Sequence, residues 1–261
     1  MNGAFVLYVF AGGLGSGLLG ALMGLGGAIV AIPYLNLLLA VPMHAAAACG
    51  LVSTLATSCG ASGRNLCQSD LVEVDAALLI QLFTAAGSLA GGLLAGAIHG
   101  PTLQILFAVM LLYGSVEVGR SLRRRDIDDV LARPPEAARL QTSLAFFFGA
   151  GVVCGLLGVG GGLMVVPLLH LFLRLPFKAA AATSNFMMGL TAIPALIAYI
   201  GRGDLDLALA IPLAAGVWLG ARLGAFLLQQ LRSRLLKIMF IGLLVLSAAQ
   251  MALQGLTGVG G

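Results

Sequence analysis

The chain has 261 residues, 60% of them hydrophobic and only 9% charged, with a mean hydropathy of +1.05. That composition excludes a water-soluble domain, and apolar runs that are continuous rather than alternating exclude an outer-membrane barrel. The formal net charge of +4 calls for no nucleic-acid partner, because the cytoplasmic loops of membrane proteins carry a basic excess.

The first apolar stretch, 4–40, holds "GLGGAIVAIP" from Gly24 to Pro33. As one helix it would be about 54 Å long, against about 30 Å of hydrocarbon. Glycine is a poor helix former, so the cluster marks where the stretch folds back on itself. No Lys or Arg precedes this run, which therefore lacks the basic start of a signal peptide. Helices are expected next over 43–63, 74–98 and 101–119. The segment 120–140, with "RRRDIDD" and "RPPE", reads as a solvated linker too short to enclose a core. The pattern then starts again. A second broken stretch at 143–173 holds "GVGGGLMVVP" from Gly158 to Pro167, and helices are expected over 177–200, 206–230 and 234–254.

A shift of 134 residues places Gly17, Gly24, Gly26 and Gly27 on Gly151, Gly158, Gly160 and Gly161. It also places Pro33 on Pro167, Pro42 on Pro176 and Asp70 on Asp204. After a gap of about five residues, "AAGSLAGGLLAG" from Ala85 aligns with "AAGVWLGARLGA" from Ala214. Two repeats are thus expected, 1–119 and 141–261. Basic residues orient them. If each broken stretch enters and leaves on one face, twelve basic residues (Arg64, the linker arginines and Lys178 among them) share a side against Arg202 alone. A single crossing per stretch splits them eight against five. The positive-inside rule favours the hairpin. The expected fold is an all-α polytopic membrane protein of two inverted-topology repeats, each a Gly-broken helical hairpin plus three transmembrane helices. Both termini are then periplasmic and the linker cytoplasmic.

Hairpin tips at membrane depth need protein or water around them. Their freed N–H groups, at Gly24, Gly26 and Gly27 and at Gly158, Gly160, Gly161 and Gly162, suit an anion, since helix N-termini carry a partial positive charge. The alternative is close helix packing, the role read for Gly216, Gly220 and Gly224 and for Gly92 and Gly96. Thr183, Ser184 and Asn185 can donate to an oxyanion or bond back to their own helix. Arg222, the one basic residue well inside a helix, can pair with an oxyanion or snorkel to the membrane edge. Ser53, Thr54, Thr57 and Ser58 read as interhelical glue, and Met187 and Met188 as packing. Asp70 and Asp204 read as helix caps. Cys49, Cys59, Cys67 and Cys154 have no CxxC spacing, and His44 and His170 no metal-ligand spacing. No metal, cofactor or catalytic constellation is expected. "GSGLLG" from Gly15 matches a dinucleotide fingerprint without the strand–turn–helix context that gives it meaning.

The paired Gly-x-Gly-Gly clusters followed by Pro, "AATSNF" from Ala181 and "GARLG" from Gly220 resemble the TauE/SafE family of sulfite exporters. The resemblance spans nearly the whole chain. It implies outward transport of sulfite or a small organosulfonate across a bacterial inner membrane, by alternating access around the two tips. The first half departs from the second: "ACGLV" from Ala48 stands in place of "ATSNF", and Ala28 in place of Gly162. The partners expected are a small anion and the lipid bilayer, with the oligomeric state, a homodimer included, left open. An inside-negative potential favours export of a dianion by about 4.6 kcal/mol per 100 mV. The alternatives are an uptake transporter or facilitator for thiosulfate or sulfate, and a non-transporting membrane scaffold.

Overall fold

The computed structural model describes residues 3–66, 74–123, 137–172, 177–230 and 233–257, and every element among them is helical. In chain order these are α1 (Gly3–Met23), α2 (Ala28–Leu38), α3 (Met43–Leu66), α4 (Val74–Ala95) and α5 (Gly100–Arg123), then α6 (Ala137–Leu157), α7 (Gly162–Phe172), α8 (Phe177–Arg202), α9 (Leu207–Gln230) and α10 (Ser233–Thr257). Four spans, Phe5–Met23, Met43–Ser62, Ala179–Arg202 and Leu207–Leu228, are long and apolar enough to cross a bilayer.

Both Gly clusters break the helix by the same device. Gly24 and Gly158 take positive φ, +69° and +76°, which costs a residue without Cβ little. The following amides, Leu25 and Val159, then donate back to Gly20 and Cys154 at 3.0 and 2.9 Å. This closes α1 and α6 as a left-handed C-terminal cap does. The chain returns beside itself: Tyr34 Oη on α2 donates to Tyr8 O on α1 at 2.8 Å. In the second half the Phe146 and Phe172 rings, one on each arm, lie 5.3 Å apart. The arms are unequal, 21 residues in α1 against 11 in α2, or about 31 and 16 Å.

The helices pack in matching sets. α1 lies on α9 as α6 lies on α4, α3 on α9 as α8 on α4, and α2 on α3 as α7 on α8, while α3 meets α8 and α5 meets α10. Glycines make the closest approaches possible. A Cβ on Gly220 or Gly224 would strike the Leu14 or Leu18 carbonyl of α1, and one on Gly87 or Gly91 the Phe148 or Val152 carbonyl of α6.

These contacts correct the alignment of the halves. Leu14 and Leu18 match Phe148 and Val152 at the 134-residue shift, so Gly87 matches Gly220. Pairing Ala85 with Ala214 is one helical turn out of register. Glycines spaced by four recur on one face at every turn, so a one-turn slip superposes them almost as well.

Other boundaries and caps also move. α5 runs to Arg123 and α6 begins at Ala137, entering the expected 120–140 linker from both ends, and 124–136 lie outside the described residues. Asp206, not Asp204, caps α9, its Oδ1 accepting from the Ala208 amide at 2.9 Å. Asp204 instead pairs with Arg202 Nε at 2.8 Å. Asp70, Cys67 and Pro176, and the His170 side chain, lie outside the described residues. His44 Nε2 donates to the Ala95 and Ile98 carbonyls, tying the start of α3 to the end of α4.

Candidate functional site

The first turns of α2 and α7 meet halfway along α3 and α8. Thr54, in the middle of α3, touches both tips: a Cβ on Gly26 would stand 3.0 Å from it and one on Gly160 2.5 Å. Met188, its counterpart on α8, touches Gly26 and Gly162. The tips also touch each other, a Cβ on Gly162 falling 2.5 Å from the Leu25 carbonyl carbon. All of this is buried. Two helix N-termini therefore face one another away from water, each with first-turn N–H groups that lack an intrahelical acceptor and each positive by its dipole. Two like partial charges in a buried space repel, and an anion between them would neutralise both.

The tips are finished differently. At the first, Thr57 Oγ1 accepts from the Gly27 amide at 2.9 Å and donates to Ser53 O at 2.8 Å. At the second, Thr191 lies against Gly161, its Cγ2 3.3 Å from where a Cβ would stand. Thr191 Oγ1, however, accepts from Gln81 Nε2 of α4 at 2.8 Å and donates to Met187 O at 3.1 Å. The hydroxyl that caps the first tip is thus engaged elsewhere at the second. Thr54 Oγ1 donates toward Gly50 O and Val159 O, both at 3.1 Å, and so pins α3 to the second tip. Among the described residues, three buried side-chain atoms have no hydrogen-bond partner: Ser53 Oγ, Gln81 Oε1 and Asn185 Oδ1.

The glycines picked from the sequence come together, with a division of labour. Gly26, Gly27, Gly160, Gly161 and Gly162 line the meeting point. Gly24 and Gly158 lie to either side, each pressed on a helix of the other half, at Ala181 and Ala47. Ser184 Oγ donates to Gly24 O at 2.8 Å and Asn185 Nδ2 to Ala21 O at 2.9 Å. Their donors serve the carbonyls at the end of α1 instead of facing an anion. Thr183 is buried in the same turn of α8.

Arg222 does not join the site. It is exposed on the side of α9 away from α1, its Cζ 5.0 Å from the Trp218 ring. The glycine face of α9 must turn inward, which turns position 222 outward. Arg222→Leu is therefore expected to leave anion flux within about two-fold of wild type and stability within about 0.5 kcal/mol, read by a liposome flux assay and a thermal melt.

Gln81 and Ser88, which donates to Thr191 O at 2.8 Å, are absent from the sequence-derived set. A lone glutamine inside "AALLIQLF" was the available signal, since polar side chains within membrane helices commonly hydrogen-bond across helices.

A polar lock closes one end of the bundle. Arg202 pairs with Asp204, donates to Gly92 O on α4, and stacks 4.3 Å over the Tyr199 ring. Tyr199 Oη donates in turn to Leu156 O, just ahead of the second tip. Beside the lock an open cavity of about 620 Å³ is lined by His44, Asp204 and Asp206.

Comparison with known proteins identifies a family. The family profile "Sulfite exporter TauE/SafE" matches residues 9–251. The chain is 24% identical to the "Probable membrane transporter protein YunE" of Bacillus subtilis (strain 168), over 97% of this chain and 99% of that one. It is 26% identical to the "Probable membrane transporter protein YdhB" of the same organism, over 80% and 84% of the respective chains. No solved structure gives a significant match.

Proposed function

The chain belongs to the TauE/SafE family, and from that membership we propose that it carries a small sulfur-containing anion, sulfite or an organosulfonate, outward across the bacterial inner membrane. The observation that carries this reading is the buried meeting of two helix N-termini at mid-height, an arrangement whose repulsion an anion relieves. The two halves form inverted repeats that rock about these tips, with both termini periplasmic and the arginine-rich segment between α5 and α6 cytoplasmic. The outward direction is supported by the membrane potential, which drives anions out.

Purified protein in liposomes tests the reading. Efflux of sulfite or a simple sulfonate should rise with an inside-negative potential. Flux indifferent to voltage would defeat the electrogenic mechanism, and no flux of any sulfur anion would favour a membrane scaffold. Topology has its own test. Single cysteines introduced at Phe5 and Arg125 should label from opposite sides of the membrane, and labelling from the same side would end the antiparallel arrangement.

A further inference from the structure

Each half lends one helix to the other. α9 lies on α1 and α3, and α4 lies on α6 and α8. Glycines draw both exchanged helices in until backbones touch, Gly220 and Gly224 on α1, Gly87 and Gly91 on α6. Helices in backbone contact move together, so any rocking leaves α1, α2, α3 and α9 on one side of a seam and α4, α6, α7 and α8 on the other. The seam runs between α3 and α8.

Its two ends are built differently. On the side of the tips toward the start of α8, side chains of α8 meet the carbonyls at the end of α1, which lack donors of their own. Ser184 Oγ donates to Gly24 O at 2.8 Å and Asn185 Nδ2 to Ala21 O at 2.9 Å. Both side chains are buried. From α3, Ser62 Oγ donates to Asn185 O at 3.3 Å. On the opposite side of the tips, the 134-residue shift puts Gly50 and Leu51 in the places of Ser184 and Asn185. The geometry repeats, since a Cβ on Gly50 would fall 2.9 Å from Gly158 O, but neither residue has a side chain that can donate. The contact there is apolar, Ala47, Ala48 and Leu51 of α3 lying with Ala192 and Ala195 of α8. Hydrogen bonds at that end come from His44, at the rim of the open cavity, to the Ala95 and Ile98 carbonyls.

We propose that Ser184 and Asn185 are the latch of a gate between the tips and the face where α8 begins, which is the cytoplasmic face in the topology above. Opening that end breaks two buried hydrogen bonds and hands the Gly24 and Ala21 carbonyls to water. Opening the other end, apart from its rim, parts alanine from alanine. The protein at rest is therefore shut toward the cytoplasm, and the latch must release before an anion can enter from that side. The inference rests on the alternating-access reading above.

Thiol labelling tests it. The full chain carrying Ser62→Cys, purified in detergent, is treated with a small maleimide. Modification is read peptide by peptide at position 62 and at native Cys49, which is buried two residues from Leu51 on the opposite side of the tips. Labelling of a buried thiol follows the population of the opened state. Asn185→Leu, which installs the residue of the other half, is expected to speed labelling at position 62 about ten-fold, the scale of one hydrogen bond. Cys49 should stay within about two-fold. Ser184→Ala removes one bond and adds no bulk, so it should act the same way more weakly, and it decides if Asn185→Leu does not fold. Unchanged rates at both positions overturn the inference, as does equal acceleration at both, the mark of a fold merely loosened. Sulfite flux by wild type in liposomes tests the reading beneath. No flux of any sulfur anion, with labelling as expected, overturns transport and leaves the latch standing.

Discussion

Gly162→Ala is expected to reduce anion flux on the order of 100-fold while lowering thermal stability only modestly. The added Cβ would lie 2.5 Å from the Leu25 carbonyl carbon, 2.6 Å from its oxygen and 2.5 Å from Met188 Sδ. The thioether can swing aside, but the Leu25 backbone belongs to the opposite tip and can only move with it. Restoring an ordinary contact separates the tips by about 1 Å, an overpacking cost of about 1–3 kcal/mol. For a chain of this length that lowers Tm by several degrees. Misplacement on that scale in a preorganised site costs about 100-fold, because donors from both sides must reach one ligand. Gly161→Ala is the informative companion. Its nearest neighbour would be 3.3 Å away, so the cost comes from the backbone at φ +109°. Flux per folded molecule and Tm, measured on both variants, separate contact from strain. Loss of flux only in proportion to loss of folded protein would mean that the meeting of the tips is not the anion site.

Thr57→Val should destabilise the protein while enlarging the stabilisation it gains from ligand. The substitution keeps the shape but removes the acceptor of the Gly27 amide. That amide is buried, and leaving it unpaired costs about 1–3 kcal/mol. Without Thr57 that amide is an unpaired donor at the tip, and a bound anion can accept from it. The Tm shift on adding an organosulfonate should therefore exceed that of wild type. Melts with and without ligand check this. An unchanged apo Tm would mean that the Thr57 bond contributes nothing.

Much of the architecture could be read along the chain. The two breaks, the six long helices and the repeat all follow from local composition: apolar runs of set length, glycines that end helices, and the same order written twice. The observed helices 43–66 and 177–202 begin where they were placed and run two or three residues longer. Five of the seven tip glycines lie where the two breaks meet, and Gly24 and Gly158 stand to either side. Side-chain roles were harder. Ser184 and Asn185 look like anion donors in sequence, but in the fold they serve Gly24 O and Ala21 O, 160 and 164 residues away. Arg222 was singled out for its charge in an apolar helix, yet the side of a helix that faces lipid depends on what packs against the other side.

By itself, the sequence determined that this chain lies in a membrane, is helical, is interrupted twice at glycine clusters and is built as a duplication. Each of these depends on neighbours within a turn or two, or on the length of an apolar run against the thickness of a bilayer. Only the tertiary structure decided which hydroxyl caps which tip, that Gln81 of α4 reaches Thr191 of α8, and that the halves align one turn away from where their glycines suggest. Those choices are made between helices distant in the chain. A face with a small residue every fourth position offers nearly equal registers, and complete packing of the described helices selects one.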